Sequence, residues 1–452
     1  MAYAWAAAPA FPRLRPHPRL RRLLVLLPLL ATVLLLAAPI QPAGAGAGLG
    51  GKVTPADAAS GLLVIWCLVR VLRRRSRPLS PLAALVLALP VVGIAVATVT
   101  AADPAAALPG FVRYLQVFVL VPAAVVLLVR DATDFRAVTG ALVALALAQG
   151  ALGVYQYATG TGASYMGADV RAVGTFGPSD VMGMATVVSY GILAAAALAL
   201  RTPKDAPSWL RPCALAAAAA LVVPLALSFS RGAWIATALA AFAVIVLTGL
   251  RQAVRALAVL AALGVVLVGG FGIGSEMISQ RLTSITQVAD APDQSVTDRY
   301  TMWAAAASMW REEPAAGVGL KGFPAHRDGH ASIGLSAGSD TAGAGRAYRK
   351  QPLLSPHNMY LLVLSEQGLI GLTAFLGSLS AVLVGSVRRL SRARRTRGAA
   401  TDCGLAAVGL MTWQTVDFLY ADIGGPSTVL TGVVLGLAAW WALAEPDEAI
   451  AT

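Results

Sequence analysis

Read for its apolar positions alone, the chain is a succession of long Ala, Leu and Val runs separated by short charged or Pro/Gly-bearing gaps. A bilayer core of about 30 Å requires roughly 20 apolar residues per helix. Runs of that order fall near 23-40, 56-72, 79-101, 111-129, 137-157, 181-200, 213-229, 233-250, 256-273, 357-386, 399-420 and 427-444. They lack the period-two alternation of barrel strands, and backbone groups in lipid have no water to bond, so each run predicts a helix. The expected fold class is an all-α integral membrane protein with about 12 transmembrane helices. The second run is the weakest, because Asp57 and Arg70 trim its apolar core. The first has the basic start of a secretory signal, but its apolar run is too long and no convincing cleavage site follows, so it is expected to stay in the membrane.

Composition agrees, since 57% of the 452 residues are hydrophobic and 13% are charged, about half the charged share of an ordinary soluble domain. Lysine and arginine then set the orientation, because short cytoplasmic loops retain positive charge. With both termini inside, the inner segments hold 23 of the 35 Lys and Arg residues. Eight of the remainder lie in the long segment 274-356, to which the rule does not extend, so only Lys52, Arg113, Arg171 and Arg231 depart from it. The organisation expected is a cytoplasmic tail 1-22, helices one to nine over 23-273, an outer-face loop 274-356 carrying short amphipathic helices, helices ten to twelve over 357-444, and a cytoplasmic tail 445-452. The net charge of +13 is therefore mostly a topology signal, with some contact to anionic membrane lipids, and not a nucleic-acid-binding feature.

Cys67, Cys213 and Cys403 lie within or beside predicted spans with no CxxC pair, and read as small apolar residues. The four histidines are scattered, with no HExxH string or clustered carboxylates, so no metal site and no cofactor is expected. A GxGxxG string at Gly317, Gly319 and Gly322 follows Pro314 rather than a strand, in a compartment that normally lacks nucleotides, and reads as a turn. Within the outer loop, Tyr300, Trp303, Ala307 and Trp310 recur at helical spacing until Pro314, predicting a surface helix that rests on the bundle or bilayer. The small, polar stretch from Gly329 to Gly345 predicts a mobile flap.

Three outer-face clusters carry the candidate chemistry. The first, Ser228 to Trp234, is a hairpin tip in which Arg231 either snorkels or binds an anion, Gly232 makes the turn, and Ser230 supports it. The second is Asp298, Arg299, Tyr300 and Trp303, either a solvated amphipathic face or part of a site. The third begins the tenth span with His357, Asn358, Tyr360, Leu361, Leu364, Glu366, Gly368 and Gly371, and Asn358 is the sole asparagine of the chain. Glu366 lies about 13 Å further along that helix and needs a partner there. Gly368 and Gly371 read as packing glycines that admit a neighbouring helix.

These residues resemble the membrane O-antigen ligase and polymerase superfamily: the SRGAW-like turn at Ser230, the outer arginine before a tryptophan at Arg299 and Trp303, and the string HNxYLxxLxExGxxG from His357 to Gly371. The resemblance runs from about Arg113 to about Trp440 and includes Arg171 to Asp180, similar to the family's RxxGTFxxPN turn but with Ser179 and Asp180 in place of proline and asparagine. It implies transfer of a glycan from an undecaprenyl-diphosphate carrier, at the outer face of the cytoplasmic membrane, to a glycan, lipid or protein acceptor; metal independence is expected because no outer-face carboxylate cluster resembles a divalent-ion site. Physical reasoning fits such a donor, because no nucleotide sugar is available outside the cytoplasm and a departing diphosphate needs charge stabilisation. By resemblance Arg231 and Arg299 bind phosphate, which two-pronged guanidinium contacts suit. Arg171 and Arg113 are lesser candidates, and His357 is the position essential for transfer, with a side chain fit to take the acceptor's proton near neutral pH. A polysaccharide polymerase shares these motifs. A multi-pass transporter, for which Glu366 and Asp417 would be buried charges, and an export subunit are the alternatives of other classes.

Topology is open to direct measurement. A reporter fused after Arg397 is expected to be active only inside the cell and one within Gly329 to Gly345 only outside; the reverse pattern would invert every assignment above.

Overall fold

A computed structural model describes residues 18–39, 54–74, 79–163, 170–180, 182–249, 251, 254, 294–331, 353–396 and 400–444. The predicted ninth span, residues 332–345 of the glycine-rich stretch and the C-terminal tail lie outside the described residues. In chain order the helices are α1 Pro18–Leu34, α2 Pro55–Arg74, α3 Pro81–Val99, α4 Pro104–Leu115, α5 Val121–Leu128, α6 Ala132–Thr159 and α7 Gly183–Leu200. There follow α8 Leu210–Leu227, α9 Arg231–Thr248, α10 Gln294–Glu312, α11 Phe323–His330, α12 Met359–Arg395, α13 Thr401–Asp417 and α14 Thr428–Leu443. No strand occurs among the described residues; Ala163 and Arg171 make an isolated antiparallel bridge.

Eight of the described helical runs are long and apolar enough to cross a membrane, and Arg22–Ala37 and Thr428–Leu443 are shorter apolar helices. The expectation of about twelve spans is thus met for eight. The two short runs fall below the length that crosses a bilayer core without local thinning, and α13 has 17 residues. Starts and stops follow local chemistry. Ser80 and Asp103 each cap a helix that opens with proline, and the Asp131 carboxylate accepts the Thr133 and Asp134 backbone N–H groups. Gly160, in the left-handed region, closes α6. Between α4 and α5 one turn of π-helix, Gln116–Leu120, precedes Pro122, whose missing N–H leaves the widened turn without a lost donor.

Two apolar clusters form the interior. The larger joins α1, α2, α5, α6, α7, α9, α13 and α14 around Phe135, Trp413 and Trp440. The second joins α3, α4, α12 and the amphipathic α10 and α11. In α10 the buried stripe is Met302, Ala305, Ala306 and Met309, whereas Tyr300 is 56% exposed, so the aromatic residues expected to be the resting face lie on its flank. Small and flexible side chains let α10 approach the bundle more closely than a row of rings would.

The 37 residues of α12 would make a helix about 55 Å long, well beyond a bilayer core. It is broken at Gly368 (φ 62°, ψ −162°), a conformation open essentially to glycine alone. The segment after α10 fills the break: Val318 N–H donates to the Ser365 carbonyl at 2.9 Å, Leu369 N–H to Pro314 at 2.9 Å, and Ile370 N–H to Ala315 at 3.2 Å. Of the two expected packing glycines, Gly371 does admit a helix, meeting Gly93 of α3, while Gly368 admits this irregular segment. Gly368→Ala would put a methyl group onto the Ala315 carbonyl in a disfavoured backbone region. It is expected to destabilise by about 2 kcal/mol or more, read as a lowered unfolding temperature in detergent, whereas Gly140→Ala, which meets open space on α6, should leave stability unchanged or raised.

Candidate functional site

At one end of the bundle, the linker 418–427 between α13 and α14 is the point to which the sequence-predicted residues are tied. The start of α12 is fixed to it by Met359 N–H, which donates to the carbonyls of Phe418 at 2.8 Å and Ala421 at 3.1 Å. Asn358 caps α12, its side-chain oxygen accepting Leu361 N–H at 3.1 Å. His357 precedes the cap with a left-handed backbone (φ 50°). That turn brings its Nδ1 to 3.9 Å from Oδ2 of Asp422, and the same carboxylate oxygen accepts the Ser355 hydroxyl at 2.5 Å. Tyr360 donates its hydroxyl to the Thr415 carbonyl at 2.7 Å and packs on Phe375 and Phe418, which makes it a brace for the same corner.

Arg299 reaches this corner from α10. Trp303 donates its indole N–H to the Pro356 carbonyl at 2.9 Å, next to His357. Arg299, one turn earlier on the same helix face, is close enough for its charge to act on the imidazole. Arg231 opens α9 immediately after Ser230, whose hydroxyl caps the helix by accepting Ala233 N–H at 3.2 Å. The turn before it is tightened by Phe229, with φ of 50°, and by Trp234, whose indole donates to the Leu225 carbonyl at 2.7 Å. A side chain at Gly232 would stand 3.2 Å from Cβ of Tyr420, so this hairpin tip lies against the linker two residues before Asp422. His357, Arg299 and Arg231 therefore belong to three segments that meet around residues 418–422.

The lesser arginines sit differently. Arg113 pairs with Asp57 of α2, donates to the Gln116 side-chain oxygen at 3.2 Å and to the Gly425 carbonyl at 3.3 Å, and so ties α4 to α2 and the linker. Arg171 is held by its backbone bridge to Ala163, and the next residue, Ala172, donates to the Leu227 carbonyl at 3.1 Å just below the hairpin tip. Glu366 finds its partner in the outer segment, where Phe323 N–H at the start of α11 donates to its Oε1 at 3.3 Å.

Three carboxylates here, Asp180, Asp417 and Asp422, carried no role in the transfer reading of the sequence. Asp180, which stands where the related turn has asparagine, accepts both the Ser427 hydroxyl at 2.8 Å and the Ser427 N–H at 3.2 Å, stapling its turn to the linker's end. Burial raises its pKa, and the Ser427 donors oppose that. Asp417 lies within electrostatic reach of Asp180 and Asp422. The signal available was the polar interruption Asp417 to Ser427, two aspartates and Gly-Gly-Pro between apolar runs, which reads as an ordinary short loop. Among the described residues no group of three or more His, Cys, Asp or Glu side chains is arranged to hold a metal ion.

Desolvation lowers the His357 pKa, the Asp422 carboxylate acts in the opposite sense, and the Arg299 guanidinium lowers it further. With 47% of its side-chain surface exposed, the direction rather than the size of this shift bears on chemistry. It keeps the ring neutral, with one nitrogen able to accept a proton, at neutral pH.

These features define a polytopic membrane protein whose candidate groups are gathered at one face: a neutral histidine beside a carboxylate, with arginines on two adjoining segments. Residues 216–376 match the family model for O-antigen ligase, a segment that runs from within α8 into α12 and includes Arg231, Arg299, His357 and Glu366. The match supports the O-antigen ligase superfamily that the motifs resemble. It leaves out the linker with Asp422. No curated protein matches the chain.

If His357 acts as a base beside Asp422, activity should fall on its acid side with a midpoint below the ordinary histidine value of about 6.5. Asp422→Asn removes the one influence that raises the pKa, so it should move that midpoint lower still while slowing the reaction. An acid limb that stays in place or moves upward in the variant would exclude this pairing.

Proposed function

We propose that the protein is an O-antigen-ligase-type glycosyltransferase that moves a glycan from an undecaprenyl-diphosphate carrier to an acceptor hydroxyl. The reading includes a cytoplasmic-membrane location, both termini inside, about twelve spans, and the His357 face outside, where the lipid-linked donor is exposed. The observation that carries it is the pairing of His357 Nδ1 with Asp422 at 3.9 Å beneath the charge of Arg299.

In this reaction the acceptor oxygen attacks the anomeric carbon while its proton passes to Nε2 of His357. The carbon–oxygen bond to the diphosphate breaks, and the bonding pair leaves on the phosphate oxygen. Nδ1 faces Asp422, which orients the ring and stabilises the imidazolium that forms. The separation exceeds a hydrogen bond, as is common before substrate tightens a site. Arg231, with Arg299, meets the charge that builds on the diphosphate. Two-pronged guanidinium contacts can do this without a metal ion. Arg113, held by Asp57 and Gly425, supports the site as a tie between helices. A polymerase would use the same groups and differ in its acceptor.

The test is transfer from a polyprenyl-diphosphate-linked glycan by the purified protein in vesicles, with EDTA present. Arg231→Lys should lose nearly as much activity as Arg231→Ala, on the order of 100-fold, because a point ammonium cannot make the paired contact. His357→Ala should abolish transfer while donor binding persists. Full activity in Arg231→Lys or His357→Ala, or a rate that EDTA removes and magnesium restores, would refute this mechanism.

A further inference from the structure

At the end of the bundle away from His357, α6, α7, α8 and α13 surround a cavity of about 280 Å³. Its walls are apolar along most of their length, with Gly140, Val143 and Leu147 from α6, Leu198 from α7, and Cys213 and Ala217 from α8. Along α6 it runs from Phe135 to Leu147, about 18 Å at 1.5 Å per residue, close to the depth of one leaflet of a roughly 30 Å core. Its mouth, at the end away from His357, is polar. There Arg136 of α6 holds Asp402 of α13 through two hydrogen bonds, Nε to Oδ2 at 2.7 Å and a terminal nitrogen to Oδ1 at 2.9 Å.

That pair is neutral overall, but two further arginines adjoin the lining in sequence. Arg211 directly follows the lining residue Leu210 and is exposed, and Arg201 lies one turn beyond Leu198. Arg201 donates to the Thr248 carbonyl at 2.6 Å, yet its buried Nε has no hydrogen-bond partner among the described residues. An apolar slot one leaflet deep, with unbalanced positive charge at its mouth, has the complement of one lipid: an acyl chain below a negatively charged phosphodiester. Nothing in the transfer chemistry uses this slot, because His357 and the arginines of the candidate site belong to other helices and gather at the far end of α13.

We infer that this groove is a binding site for an anionic diacyl phospholipid of the leaflet opposite the candidate site, with one acyl chain between α6 and α8 and its phosphate at the arginines beside the mouth.

The chain carries its own reporter, since Cys213 is exposed in the groove while Cys67 and Cys403 are buried. In delipidated full-length protein, N-ethylmaleimide should alkylate Cys213 readily, and added phosphatidylglycerol should slow this saturably by about tenfold, equivalent to about 1.4 kcal/mol. Phosphatidylcholine should protect far less. Gly140→Leu provides the second variant: a side chain there enters open space in the groove, and leucine is a better helix former than glycine, so the fold is retained. This variant should retain less phosphatidylglycerol by native mass spectrometry. Absence of protection, equal protection by phosphatidylcholine, protection by a polyprenyl phosphate in place of phosphatidylglycerol, or unchanged lipid retention in Gly140→Leu would each overturn the assignment. Neither readout involves glycan transfer, so the result stands apart from the proposed activity.

Discussion

The broken backbone of α12 is the constraint on which the outer end of this protein rests. A helix interrupted away from water must find new partners for the groups it frees, and residues 314–318 supply them at Ser365, Leu369 and Ile370. The outer segment cannot then be a loose loop between spans. Once Pro314 and Ala315 are bonded into α12, α10 is anchored at its C-terminal end and α11 begins beside Glu366. That carboxylate in turn accepts the first backbone donor of α11. Gly317 and Gly368 allow the two backbones to approach this closely, for a side chain at Gly317 would stand 2.5 Å from the Glu366 and Ser365 main chain.

A second dependence runs through the linker 418–427. Its carbonyls bind the start of α12, its Asp422 faces His357, its Tyr420 lies beside the Arg231 turn, its Gly425 carbonyl accepts from Arg113, and its Ser427 donates to Asp180. The candidate groups are therefore set by a segment that contributes few of them. Such an arrangement suits a reaction needing an oriented base and a phosphate clamp, because a shift of an ångström in either is costly to rate.

The helices were legible in the sequence because lipid imposes a length and a composition on them. The caps at Ser80, Asp103 and Asn358 obey a local rule of the same kind, each a polar residue ahead of an apolar run. The site was legible only as far as motifs extend. His357, Arg231 and Arg299 lie in recognisable strings, and Glu366 was rightly expected to need a partner, although that partner is a backbone N–H. Asp422 was not legible, since an aspartate in a short polar loop between spans has no periodicity or spacing to mark it. The stripe by which α10 packs on the bundle was not legible for a related reason: aromatic rings dominate a hydrophobicity pattern, but Ala and Met permit closer packing. Nor does a pattern along one chain reveal that a helix is interrupted and filled by another segment 50 residues earlier, as at Gly368 and Val318.

The contacts of Met359 with Phe418 and Ala421 also have a meaning in time. A ribosome makes His357 and both arginine segments long before it makes residues 418–422, yet those later residues hold the histidine in its left-handed turn and supply its carboxylate. During biogenesis the site is thus assembled last, when the final helical pair enters the bundle. A nascent or truncated chain would hold its arginines without an oriented histidine, and under the proposed function it would stay inactive until insertion is complete.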